Sequence, residues 1–174
     1  MEGEERVMYA PVLEIDTQKV TQNAEILRKL CDRRGVELAF VTKGFSARPE
    51  VIRAAMEGGI TCFADSRMKN IISAKRAIPG LKYLLIRIPA PNEAEEVVRW
   101  ADWSLQSQIE VIRAVSEAAL RQGKVHPIIL MIDVGDLREG VFGREQLDEI
   151  APQIKACRGG ELVGLGTNVG CCGS

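Results

Sequence analysis

The sequence predicts an α/β fold built on a parallel sheet: an incomplete (β/α) barrel of the TIM type, with about six of the eight strands present. Two observations predict it. Short apolar runs alternate strictly with amphipathic stretches, and near-continuous apolar strands belong to a sheet covered by helices. The units recur at roughly 20–35 residues, a spacing that suits barrel βα units. A doubly wound sheet competes, but its G-x-G-x-x-G fingerprint after the first strand is missing. At 174 residues, the chain suffices for one domain, expected over residues 1–174, with a sizeable core.

The elements follow in order. After an acidic tail, Leu13-Glu14-Ile15 reads as a brief extended segment. Asp16 or Thr17 can cap a helix whose apolar stripe is Val20, Ala24, Leu27 and Leu30/Cys31, and Gly35 stops it. Val36 to Lys43 is an apolar run too short for a helix, and reads as the first strand. A helix from Pro49 to Gly58 opens with proline in its first turn. Thr61 to Ala64 forms the second strand, followed by a helix from Arg67 to Ile78. Lys82 to Ile88 is the third strand, and Asn92 caps a helix running to Ala101. Trp103 to Gln106 is the fourth strand, with a helix from Gln108 to Gln122 behind it. His126 to Val134 is the most β-like stretch and the fifth strand. A helix lies between Arg144 and Cys157, where Pro152 is expected to kink or divide it. Glu161 to Asn168 is the sixth strand.

Composition removes several function classes. The 23 basic residues are balanced by 24 acidic ones, for a net charge of −1, which argues against a nucleic-acid binder. No apolar run is long enough to span a bilayer. The N-terminus, MEGEERVMYAP, lacks the layout of a secretory signal. The cysteines, Cys31, Cys62, Cys157, Cys171 and Cys172, number five and show no metal-ligand spacing, so no metal is expected. A reduced, cytoplasmic protein is the simplest account.

In parallel α/β architectures, active sites form at the C-terminal ends of the strands. Those ends offer Lys43, Asp65-Ser66-Arg67, Arg87, Gln106, Asp133 and Thr167-Asn168. His126 begins its strand and belongs to the opposite, structural end. Alternation puts Ala39, Val41 and Lys43 on one face, and Leu38, Phe40 and Thr42 on the other. The small set is expected to point into the barrel, with an ammonium at the mouth of an apolar interior. Desolvation there would lower the lysine pKa, as a Schiff-base lysine requires. The alternative is a lysine leaving the strand for solvent. Asp133 to Gly140 forms a tight turn in which Arg138 can bind an anionic oxygen or make a surface ion pair. Gly164 to Asn168 leaves room for a flat ligand.

With these residues in hand, the sequence resembles the fold-type III pyridoxal-phosphate enzymes, most closely the alanine/ornithine racemase branch. The resemblance is carried by Leu13-Glu14-Ile15-Asp16 with Asn23, Val41-Thr42-Lys43, Asp65-Ser66-Arg67 with Asn70, and the pair Asp133–Gly140 and Gly164–Asn168. These stretches occur in family order and cover essentially the whole chain. The resemblance implies a barrel holding pyridoxal 5′-phosphate on Lys43, where the cofactor makes the α-proton of an amino-acid substrate acidic. Lys43 would then be the catalytic and cofactor-binding lysine. Arg138 matches the arginine that contacts the cofactor's phenolic oxygen, and Thr167 and Asn168 match a Thr-His pair beside the pyridine ring, with asparagine in place of histidine.

Two departures stand out. The family's second acid/base is a tyrosine of a C-terminal β-domain, whereas this chain has only Tyr9 and Tyr83. Tyr83 starts the third strand and is expected at the end opposite Lys43. Strands seven and eight of the family barrel are not found, so the chain is expected to be the N-terminal part of such an enzyme. Its exposed edges should then drive homo-oligomer formation. The alternatives are a non-catalytic pyridoxal-phosphate-binding homeostasis protein and an inactive fragment.

Overall fold

The structure is a computed structural model that describes residues 11–169. The chain enters through helix α1 (Thr17–Asp32), whose N-cap is Asp16, the carboxylate accepting from the Lys19 amide at 3.1 Å. Strand β1 (Ala39–Val41) gives way directly to a 3₁₀ turn, Lys43–Phe45. Helix α2 (Pro49–Glu57), β2 (Cys62–Asp65), α3 (Met68–Ala77) and β3 (Lys82–Leu85) follow. A 3₁₀ turn at Pro91–Glu93 then leads into α4 (Ala94–Trp100). The remaining elements are β4 (Trp103–Gln106), α5 (Ile109–Arg121), β5 (His126–Asp133), β6 (Val141–Phe142), α6 (Gly143–Ala156) and β7 (Gly160–Gly166).

All pairings are parallel. The order runs β1-β2-β3-β4-β5, with β7 beside β5 and the two-residue β6 beside the C-terminal end of β5. Among the described residues β1 and β7 each pair on one side only, so the sheet is open: an incomplete barrel. The six expected strands are β1 to β5 and β7.

Register and alternation assign the faces. Phe40, Phe63 and Tyr83 stand level on neighbouring strands, with ring centroids 6.2 and 5.8 Å apart. They point toward the helices, packing with Ile52 and Ala55 of α2 and Ile71 and Ala74 of α3. Phe63 is completely buried, which contributes about 2 kcal/mol or more to the fold. A second cluster joins Ile128 and Leu130 of β5 to Ile112 of α5 and Ile150 and Ile154 of α6. The opposite face is open, and Val41 on it is 44% exposed.

The structure departs from the sequence reading in several places, and besides those that follow, β3 ends at Leu85 rather than Ile88 and the N-cap residue of α4 is Glu93 rather than Asn92. Strand β1 is three residues long, because Val36 and Glu37 are exposed lead-in and Thr42 turns to a helical φ/ψ of −97°/−8°. Leu13 to Ile15 joins no ladder. Strand β6 is an addition, formed where Gly140 lets the chain close on Asp133 and bring Val141 level with Ile132. Helix α6 runs unbroken through Pro152.

Candidate active site

Because every strand is parallel, the segments after β1, β5 and β7 all leave the sheet at the same end. Lys43, Arg138, Thr167 and Asn168 are therefore on the strands' C-terminal side, where the sequence placed them.

Lys43 opens the 3₁₀ turn after β1 and is exposed. The desolvating interior expected around it is not formed, since β1 lies at the open edge of the sheet. Among the described residues, no hydrogen bond or ion pair holds its ammonium. Its backbone, by contrast, is held closely. Thr42, the residue before it, is fully buried. The Thr42 amide donates to Ala64 O at 2.8 Å, continuing the ladder past the strand. The Thr42 carbonyl accepts from the amides of Phe45 at 3.3 Å and Ala47 at 3.1 Å. The hydroxyl donates to Asp65 Oδ2 at 2.7 Å and lies 3.4 Å from the Tyr83 hydroxyl, which donates to it. The turn then passes through two left-handed residues, Ser46 and Ala47, at φ 54° and 52°. Such residues cost of order 1–3 kcal/mol each and persist where the surroundings over-determine them.

Asp65 and Gln106 end their strands, yet neither faces the mouth. Asp65 shares parity with Phe63 and turns under α3, completely buried. Its carboxylate accepts from the Arg67 amide at 2.8 Å and from Asn70 Nδ2 at 3.1–3.2 Å, besides Thr42. Gln106 shares parity with Ser104 and donates to its hydroxyl at 3.0 Å. Ser104 in turn lies 3.0 Å from His126 Nε2. Burial pushes the His126 pKa down to about 4, so this imidazole is neutral and structural, as its strand position implied. Arg87 is spoken for as well: its guanidinium meets Glu93 at 2.8 and 2.9 Å and donates through Nε to Ser66 O. That hydrogen bond holds the Glu93 carboxyl below the usual carboxylate range.

Tyr83 is placed differently from expectation. Its hydroxyl reaches Thr42, next to Lys43, but from the helix layer rather than the open face. Burial raises its pKa to about 12, which keeps the phenol protonated at neutral pH.

Around the end of β5, Asp133 Oδ1 accepts from the amides of Gly135 at 2.8 Å and Leu137 at 3.2 Å, shaping the loop from within. Arg138 stands between Asp136 and Glu139, at 3.9 and 3.4 Å. Asn168 donates to the same Glu139 carboxylate at 2.7 Å. The structure thus brings Arg138 and Asn168 together through Glu139, a residue the sequence reading did not single out. Thr167 is exposed beside them. Lys43 makes no hydrogen bond to this group. Among the described residues, no cluster of three or more metal-ligating side chains occurs, and no helix is long and apolar enough to cross a membrane. Cys31, Cys62 and Cys157 are free thiols, while Cys171, Cys172 and Tyr9 lie outside the described residues.

Residues 15–174 match the family "Alanine racemase, N-terminal domain". The chain belongs to this family. It is 36% identical over 167 residues to an ornithine racemase of Acetoanaerobium sticklandii, covering 96% of this chain and 46% of that protein. It is also 36% identical over 166 residues to a lysine racemase of Thermotoga maritima, covering 95% and 46%. The chain therefore spans about half the length of the curated relatives it matches. Among solved structures, it superposes on the alanine racemase of Streptomyces coelicolor with a TM-score of 0.80 at 18% identity, over 90% of this chain and 43% of that one. PipY of Synechococcus elongatus, solved with pyridoxal phosphate bound, gives 0.71 at 22% identity, over 84% and 70%. At these identities the two structures show the shared fold.

Proposed function

We propose that the chain holds pyridoxal 5′-phosphate through Lys43 and serves as the cofactor-bearing part of an amino-acid racemase of the alanine/ornithine type. The observation that carries the reading is the placement of Lys43, a primary amine with no partner among the described residues, on a firmly held turn at the C-terminal end of β1. The donor set suits an anionic aldehyde. Lys43 offers the amine, Arg138 a guanidinium, Asn168 an amide and Thr167 a hydroxyl, all at the same end of the sheet. When bound, the cofactor supplies an electron sink that makes an amino acid's α-proton acidic.

In this reading Lys43 Nζ carries the α-proton on one face of the substrate. Arg138 donates to an anionic oxygen, held in place by Asp136 and Glu139. Asn168, oriented by Glu139, would help hold the cofactor together with Thr167. The 36%-identical ornithine and lysine racemases favour a basic amino acid as substrate. The exposed apolar side chains of α1 (Ile26, Leu27, Leu30) and β7 (Leu162, Leu165) fit self-association into a homo-oligomer.

A second reading, a non-catalytic pyridoxal-phosphate-binding protein, is favoured by one observation. The sole tyrosine among the described residues, Tyr83, sits in the helix layer and keeps its proton, so it provides no second acid/base. One experiment separates the two. The chain is loaded with pyridoxal phosphate in D₂O and given L-ornithine, L-lysine or L-alanine. Deuterium entering the α-position of one of them supports the racemase reading. Cofactor binding with no α-exchange in any of them supports the carrier and contradicts the racemase.

A further inference from the structure

Asp65 is a charged side chain at a strand end whose carboxylate is fully engaged, yet it faces away from the mouth. It is wholly buried and takes donors from three places: the Thr42 hydroxyl, the Arg67 amide and Asn70 Nδ2. Only the first leads to the mouth. Thr42 immediately precedes Lys43, and its amide, carbonyl and hydroxyl are all engaged. Lys43's own amine is held by nothing among the described residues, so its location is set by its backbone. That backbone is set by Thr42.

We propose that Asp65 is a positioning residue for Lys43, acting through Thr42. The carboxylate, clamped to α3 by Asn70 and to the β2–α3 turn by Arg67, holds the Thr42 hydroxyl at 2.7 Å. Tyr83 of β3 closes on the same hydroxyl from the other side. The residue before the lysine is therefore tied to β2, α3 and β3 together. Valine at position 42 would fill the same space in the strand, and it would leave the Lys43 turn anchored by backbone alone.

The inference rests on Lys43 being the cofactor lysine, and the test is arranged to separate the two. The probe is pyridoxal phosphate added to the full 174-residue chain. The lysine amine condenses with the aldehyde and releases water. Borohydride then delivers hydride to fix the product as a secondary amine, and peptide mapping compares Lys43 with Lys155, an exposed lysine on α6. Thr42→Val should lower the Lys43-to-Lys155 adduct ratio about tenfold or more, and Thr42→Ser, which keeps the hydroxyl, should restore it to within about twofold. Without cofactor, Thr42→Val should also speed amide exchange at Phe45 and Ala47, whose amides donate to Thr42 O.

A purely structural role would lower the melting temperature of Thr42→Val and leave the adduct ratio alone. That result, or a Thr42→Ser variant as impaired as Thr42→Val, overturns the inference while Lys43 keeps its assignment. A wild-type chain that shows no preference for Lys43 overturns the cofactor reading itself. If Thr42→Val fails to fold by circular dichroism, Asn70→Ala carries the test. It loosens Asp65 without touching Thr42, and an unchanged ratio in that folded variant refutes the inference.

Discussion

Acidification should weaken this fold through His126, the sole histidine. The ring is 3% exposed at the start of β5. Gln106 Nε2 already donates to Ser104 Oγ, so the serine hydroxyl is available to donate to His126 Nε2. Protonating that nitrogen would replace an acceptor by a second donor inside the helix-facing layer. Burial lowers the pKa from about 6.5 to about 4, with the Asp102 charge opposing the shift and Lys124 adding to it. Between those values the unfolded chain binds the proton and the folded chain does not. Stability is therefore whole above pH 6.5 and is lost as pH falls toward 4. At about 1.4 kcal/mol per unit, the window corresponds to about 3 kcal/mol. The assay is urea unfolding at several pH values between 7 and 4, for the wild type and for His126→Gln. Carboxylate titration is common to both, so the difference between the two curves isolates the imidazole. That difference should move by about 3 kcal/mol in favour of the variant. Parallel curves would refute the buried, neutral imidazole.

Two further predictions concern the loop and the packing behind it. Gly159 lets the lead-in to β7 pass against α5: a Cβ there would stand 2.1 Å from Ser116 O, whose side-chain oxygen also accepts the Gly159 amide. Gly159→Ala should cost about 3 kcal/mol in urea unfolding, and a cost near zero would show that the approach is not close. Arg138→Ala should weaken pyridoxal-phosphate capture about tenfold or more, the loss expected for a charge-assisted hydrogen bond. Because its side chain is one-third exposed in a loop, unfolding should shift by no more than about 0.5 kcal/mol. Equal capture by both proteins would remove Arg138 from the site.

The fold was legible because each strand is an apolar run between a stop signal and an amphipathic helix. Asp16 as N-cap and Pro49 in a first turn both mark ends that the structure keeps. What escaped were events decided by tertiary pairing. Two residues, Val141 and Phe142, become β6 only because β5 is alongside, and no local pattern announces that. Pro152 stays within α6, whose Ile150 and Ile154 hold it to the core.

The candidate site was half legible. Strand-end position singled out Lys43 and Thr167-Asn168, which lie at the C-terminal end of the sheet, and it also gathered Asp65 and Gln106, which point the other way. Counting by twos from Phe63 and Ser104 assigns both to the helix face, and the same count did place Thr42 there. Glu139 carried no such signal, since its partner Asn168 lies 29 residues along the chain. Tyr83 shows the opposite limit: its strand position was read correctly, but the reach of a tyrosine side chain brings its hydroxyl to Thr42.

The central claim is that Lys43 holds the cofactor, and one measurement bears on it most directly. The purified chain is mixed with pyridoxal phosphate, the visible absorbance of the bound cofactor is recorded, and the product is reduced with borohydride and mapped. The account predicts a stable adduct concentrated on Lys43 and abolished in Lys43→Ala. Adducts spread evenly over surface lysines, or a band that survives in Lys43→Ala, would contradict it.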